Sequence, residues 1–109
     1  MNGQSLLTVV CCPLTFNMKR EECLIYCLLY AFDAANVKKQ NLVQMSLKVD
    51  TVSFVKIYNI IQQQDETTRK KTMSSLYKGY DKTELLEEIK NTFLLELEPS
   101  VLEKILSVL

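Results

Sequence analysis

The residues of this chain best suited to chemistry are its four cysteines, Cys11, Cys12, Cys23 and Cys27, all in the first quarter of the 109 residues. A zinc site takes thiolates in pairs about two to four residues apart. Cys23 and Cys27 fit that spacing loosely, but vicinal Cys11-Cys12 cannot easily turn both sulfurs toward one metal. Cys23 and Cys27 also stand four apart inside the apolar run Cys23-Leu-Ile-Tyr-Cys-Leu-Leu-Tyr-Ala-Phe32. At that spacing they are expected as small thiols buried on one side of a helix, in a reducing compartment. Two charged clusters remain. Glu87-Glu88 is expected to face outward and makes a poor catalytic pair, while Arg69-Lys70-Lys71 reads either as a site for an acidic partner or as a solvated helix face. The second reading is favoured by the helical pairs Asp65 to Arg69 and Glu66 to Lys70, both in the stabilising i, i+4 orientation.

Composition narrows the chemistry further. The chain has no His, which removes the usual general base near neutral pH and the commonest metal ligand. With only Gly3 and Gly79, no glycine-rich loop can wrap backbone N–H groups around a phosphate. Thirteen basic residues balance thirteen acidic ones, so no broad field steers the chain to nucleic acid or anionic lipid. No catalytic, cofactor or metal residue is predicted. Leu6 to Leu14 has the look of a signal-peptide core, yet no Lys or Arg precedes it, and no run approaches the roughly 20 apolar residues of a membrane span. The expectation is a soluble, intracellular protein.

These groups must be carried by a scaffold, and helical signals dominate it. Hydrophobic residues at 48% and charged residues at 24% are ordinary for a folded domain, and the length suits one domain over residues 1–109. Asn17 is a candidate cap for a helix over Met18 to Phe32, with Pro13 separating it from a short apolar segment at Leu6 to Cys11. Leu42 to Asn59 is ambiguous. Leu47, Val49, Val52 and Phe54 alternate as a strand would, whereas Phe54, Ile57, Tyr58 and Ile61 follow helical spacing. A lone strand would leave its backbone unpaired, so two helices breaking near Asp50-Thr51 are predicted.

Asp65 is expected to cap a helix to about Lys78, with Met73, Leu76, Tyr77 and Tyr80 on its buried face. Gly79 is then expected as the left-handed residue that ends it. Asp81 and Glu84 open the next helix, whose apolar side is Leu85, Leu86, Ile89, Phe93, Leu94 and Leu97. Pro99 starts the last one, with Ser100 and Glu103 as an alternative capping box. The predicted fold class is therefore all-α, a compact single domain of about five to seven short helices in a bundle or a stack of helical hairpins. On a helical wheel the apolar positions of Leu85 to Leu97 and of Val101 to Leu109 each spread wider than the stripe of about 100° that one core contact requires. Either a small bundle encloses these helices on several sides, or a partner covers them. Val101, Leu102, Ile105, Val108 and Leu109 are the candidate interface.

Leu76-Tyr77-Lys78-Gly79-Tyr80-Asp81, between a helix and a following Leu-rich helix, resembles the signature of the actin-related protein 2/3 complex subunit 5 family, the smallest conserved subunit of that complex. The resemblance runs back through Asp65 and Ile57 to Gln62, and forward to Ser100–Leu109, about half of the chain. The long acidic N-terminal arm and the charged ending of family members have no counterpart here. The first half can be laid on the family in two ways: with Pro13 at a proline-containing loop and an insertion after Phe32, or with Met18 to Phe32 and Lys38 to Asp50 as the first two family helices. The resemblance implies a non-enzymatic, all-helical scaffold subunit of an actin-nucleating complex. Its partners would be other subunits, including actin-related proteins and a beta-propeller subunit, with actin contacted indirectly and neither nucleic acid nor membrane bound. Its place would be the cytoplasm and cytoskeleton, with a nuclear pool possible. Leu76, Tyr77, Lys78, Gly79 and Tyr80 would be structural or at an interface. The competing reading is a free-standing helical adaptor or regulatory module of another pathway.

Overall fold

The helix richest in apolar residues is the one that the others surround. In a computed structural model, which describes residues 18–109, the run around Cys23 lies in α1, Arg20–Ala34. Every side chain from Glu22 to Phe32 is buried except half-buried Tyr30. A helix apolar all round has to be enclosed, and α1 packs against α3 (Thr51–Gln63), α4 (Glu66–Gly79), α5 (Lys82–Ile89) and α6 (Pro99–Val108). Between α1 and α3 lies α2 (Lys39–Ser46), which buries only Met45. The six helices share one hydrophobic core, and no strand occurs among the described residues. The fold is all-α, as the helix signals predict.

Aspartates close three helix starts, Asp65 and Asp81 as predicted and Asp50 at the predicted break. Asp50 accepts a hydrogen bond from the Ser53 N–H at 2.9 Å and Asp65 from the Thr68 N–H at 2.7 Å, each satisfying a donor that the first turn leaves free. The break near Asp50-Thr51 is therefore real. Asp81 likewise accepts from the Glu84 N–H at 3.2 Å. Other ends differ. The first helix starts at Arg20 with Lys19 at its cap, whose N–H is bound by the Glu22 carboxylate at 3.1 Å. The predicted Asn17 cap, Pro13, the Leu6 to Cys11 segment, Cys11 and Cys12 lie outside the described residues. The last helix takes Pro99 as its first residue with Glu98 at the cap, so the Ser100–Glu103 box does not form.

Gly79 is not a left-handed cap. It is the last residue of α4, no described glycine has positive φ, and Tyr80 follows in extended conformation with its N–H on the Leu76 carbonyl at 2.9 Å. Asp81 caps the next helix at once, so the chain leaves α4 without needing a left-handed residue. That conformation occurs instead at Asn36, with φ 56°. There the Asn36 N–H reaches the Asp33 carbonyl and the Val37 N–H the Phe32 carbonyl, both at 3.2 Å, the paired bonds of a Schellman ending.

The long helix predicted from Asp81 is also interrupted. After Ile89 a π-helical turn, Lys90–Leu94, closes with the Leu95 N–H on the Lys90 carbonyl at 3.1 Å. Ile89 and Leu94 are five residues apart, a separation that uninterrupted α geometry carries well past one turn. The wider turn lets both be fully buried, with Phe93 beside them.

Candidate interaction surface

The six-residue signature does not form one surface. Leu76 is fully buried, Lys78 and Gly79 are exposed, and a Cβ placed on Gly79 meets open space. Tyr77 is half-buried, with its hydroxyl enclosed and without a hydrogen-bond partner among the described residues, and with the Lys82 ammonium 4.9 Å from its ring centre. Burial pushes its pKa up. The Tyr80 hydroxyl donates to the Met18 carbonyl at 3.3 Å while Arg20 lies over its ring at 5.9 Å, so Tyr80 ties the start of α1 to the α4–α5 turn.

The candidate interface on the last helix is largely core. Ile105 is fully buried, and Val101, Leu102, Leu106, Val108 and Leu109 are half-buried against the same cluster. From Leu85 to Leu97, only Leu95 is a strongly exposed large hydrophobic residue. The wide apolar arcs are thus covered mainly by the domain itself.

Exposed apolar side chains gather elsewhere, on α2, α3 and the turn joining them. Leu47 is 80% exposed, Val52 75% and Val43 61%, with Val55 and Tyr58 also on the outside. On α3, Ile57 and Ile61 point into the core. At about 100° per residue Val52, Val55 and Asn59 occupy the opposite side. That outward side is uncharged: the only ionisable groups of α3 are Lys56 and the Tyr58 phenol. Lys56 is turned to the start of α1, where its ammonium holds the buried Glu22 carboxylate at 3.0 Å. Phe54 and Tyr58 stack at 6.1 Å along one flank.

Polar ties hold the ends of this face. The Asp50 N–H reaches the Glu21 carboxylate at 3.4 Å, which sets the start of α3 beside the start of α1. Lys48 pairs with Glu96 at 2.8 Å and donates to the Thr92 carbonyl at 3.4 Å. Leu47 and the 57%-exposed Leu95 each precede one member of that ion pair in the chain. The sequence pattern does not single these positions out, because Leu47 and Val52 fall in the strand-like alternation with Val49 and Phe54. The signal that finds them is the lack of charge on the side of α3 away from Ile57 and Ile61.

Elsewhere the geometry is structural. Cys23 and Cys27 are buried free thiols, and burial pushes both pKa values up, that of Cys27 to about 12, so both stay protonated. No group of three or more His, Cys, Asp or Glu side chains is placed to hold a metal among the described residues. Glu88 is bound by Arg20 at 3.0 Å, leaving no carboxylate pair with Glu87. Lys70 pairs with Glu66 at 3.7 Å as expected, but Arg69 does not pair with Asp65, whose carboxylate is engaged as a cap. Arg69 reaches Asp33 at 2.6 Å and two of its nitrogens donate to the Ile61 carbonyl at the end of α3. No described helix is long and apolar enough to cross a membrane. Compared with protein-family models, curated proteins and solved structures, the chain matches none.

Proposed function

We propose that this chain is a non-enzymatic scaffold subunit of an actin-nucleating complex of the actin-related protein 2/3 type. In this reading it joins other subunits, works in the cytoplasm and cytoskeleton, and supports branched filament nucleation without touching nucleic acid or membrane. The observation that carries the scaffold role is the uncharged outer side of α3 with exposed Val52 and Val55; Val43 on α2 and Leu47 just beyond it are exposed as well. Exposed apolar side chains grouped on one helix face are the kind of surface that protein–protein contacts cover. The choice of complex rests on the resemblance of Leu76–Asp81 to the subunit 5 signature, which here shapes the α4–α5 turn.

The test is gentle affinity purification of the tagged chain from its own cells. Actin-related proteins and a beta-propeller subunit are expected to come with it and to stay bound when salt is raised, because apolar contacts are not screened. Recovery of a lone monomer refutes the scaffold reading, and recovery with an unrelated set of partners refutes the choice of complex in favour of an adaptor elsewhere.

A further inference from the structure

Folding breaks up the basic run Arg69-Lys70-Lys71 and makes a different cluster from it. Arg69 is turned inward, bound to Asp33 and to the Ile61 carbonyl. Lys70 keeps a loose pair with Glu66 at 3.7 Å, while Lys71 and Lys78 meet no carboxylate among the described residues. At about 100° per residue, Thr67, Lys71, Ser74, Ser75 and Lys78 fall within one arc of about 100° on the outward side of α4, with Lys70 at its edge. All six are exposed, and no acidic or apolar residue stands among them. The short hydroxyl side chains between the longer lysines leave a shallow depression.

We propose that this stripe docks an acidic helical segment of a partner protein, whose carboxylates bind the Lys71 and Lys78 ammoniums while Ser74 and Ser75 donate hydrogen bonds between them. A stripe with cations and no anion attracts carboxylates and rejects basic surfaces. Lys71 and Lys78 are two turns apart, ~10 Å along the axis, and carboxylates spaced i, i+7 on a second helix repeat that distance. Short side chains between the lysines let the two helices approach closely. Other anionic partners fit less well. A membrane-surface helix needs an apolar face to enter the lipid, and polybasic lipid sites gather about four to eight cations. This stripe has three lysines and no apolar residue. Single-stranded nucleic acid is held on aromatic platforms, which the stripe lacks, and thirteen basic residues against thirteen acidic ones give no field to hold a duplex.

The test is an NMR titration of the full-length, nitrogen-15-labelled chain with an alanine-based helical peptide carrying Glu at i, i+4 and i+7. The amide signals of Lys71, Ser74, Ser75 and Lys78 should shift and saturate. Replacing the peptide's Glu by Gln should raise Kd about fivefold, and so should Lys71→Gln combined with Lys78→Gln in the chain. Lys39→Gln combined with Lys104→Gln removes the same charge from exposed positions elsewhere and should leave Kd unchanged. The peptide exchange tests the contact without touching the fold. Equal binding of the Gln peptide, equal loss from both lysine pairs, or absence of a saturable shift overturns the proposal. Tighter binding to phosphatidylserine vesicles or to an oligonucleotide overturns it in favour of that partner. This contact weakens as salt rises, whereas the apolar contact of α3 does not, so the two readings fail separately.

Discussion

α3 and α4 are neighbours in sequence, similar in length, and opened by the same device, an aspartate accepting from the N–H three residues on. Their inner sides are also alike, Ile57 and Ile61 on one, Met73 and Leu76 on the other. Their outer sides are opposites. That of α4 carries Thr67, Lys70, Lys71, Ser74, Ser75 and Lys78, with no apolar residue, whereas that of α3 presents Val52, Val55 and Asn59. The inner stripe reports the core that a helix needs, and the outer one reports what else it meets. By that measure the outer side of α4 is polar and that of α3 is apolar and exposed.

The sharpest way to break the comparison is to substitute both sides of α3. Ile57→Ala should destabilise the chain by about 2–5 kcal/mol, because a fully buried side chain leaves a cavity, while Val55→Ala should stay within about 0.5 kcal/mol. Denaturant unfolding measures both. If Val55→Ala costs as much as Ile57→Ala, the outer side of α3 is already core.

The one ammonium of α3 gives a pH test. Burial raises the pKa of Glu22, but the bond from Lys56, the Lys19 N–H and the nearby positive charges outweigh it and hold the carboxyl below its ordinary value. A depressed folded-state pKa stabilises the fold above the unfolded carboxylate's pKa, and that contribution is lost as pH falls through the folded value. Lys56→Ala removes the largest influence opposing burial and so raises the folded-state pKa of Glu22, and acid unfolding should begin at higher pH. The loss near neutral pH should be about 1 kcal/mol, below the ~1.5–3 kcal/mol of a charged hydrogen bond because Lys56 is 55% exposed. An unchanged acid midpoint would show that Lys56 only shields α3 from water.

The smallest effect is expected at the end of α4, and it has the opposite sign. Gly79 has helical geometry with open space where a Cβ would stand, so Gly79→Ala should stabilise by about 0.5–1 kcal/mol and raise the melting temperature. A fall in melting temperature would restore the left-handed cap that the sequence predicts there.

How much could be read in advance depended on how local the cause was. Asp65 and Asp81 were legible because an N-cap bond spans only three residues, and the buried pair Cys23 and Cys27 because a helix apolar on every side has to be enclosed. Gly79 misled because glycine permits a left-handed turn without requiring one. Asn36 makes that turn, and Asn does so at a moderate cost repaid by the two carbonyls it satisfies. The candidate surface was the least legible part. Exposed Val52 and buried Ile57 are equally apolar letters, and only their direction separates them.

The sequence by itself determined the helices, most of their starts and the all-α class, since hydrophobic period, caps and the Pro99 start act within one or two turns. Tertiary structure alone decided which helix is central and where a π turn lets Ile89 and Leu94 be buried together. It also turned the apolar positions of α6 toward the core and left those of α2 and α3 facing out. Those outcomes depend on which faces meet across the chain. A wide apolar arc has the same sequence whether a neighbouring helix or another molecule covers it.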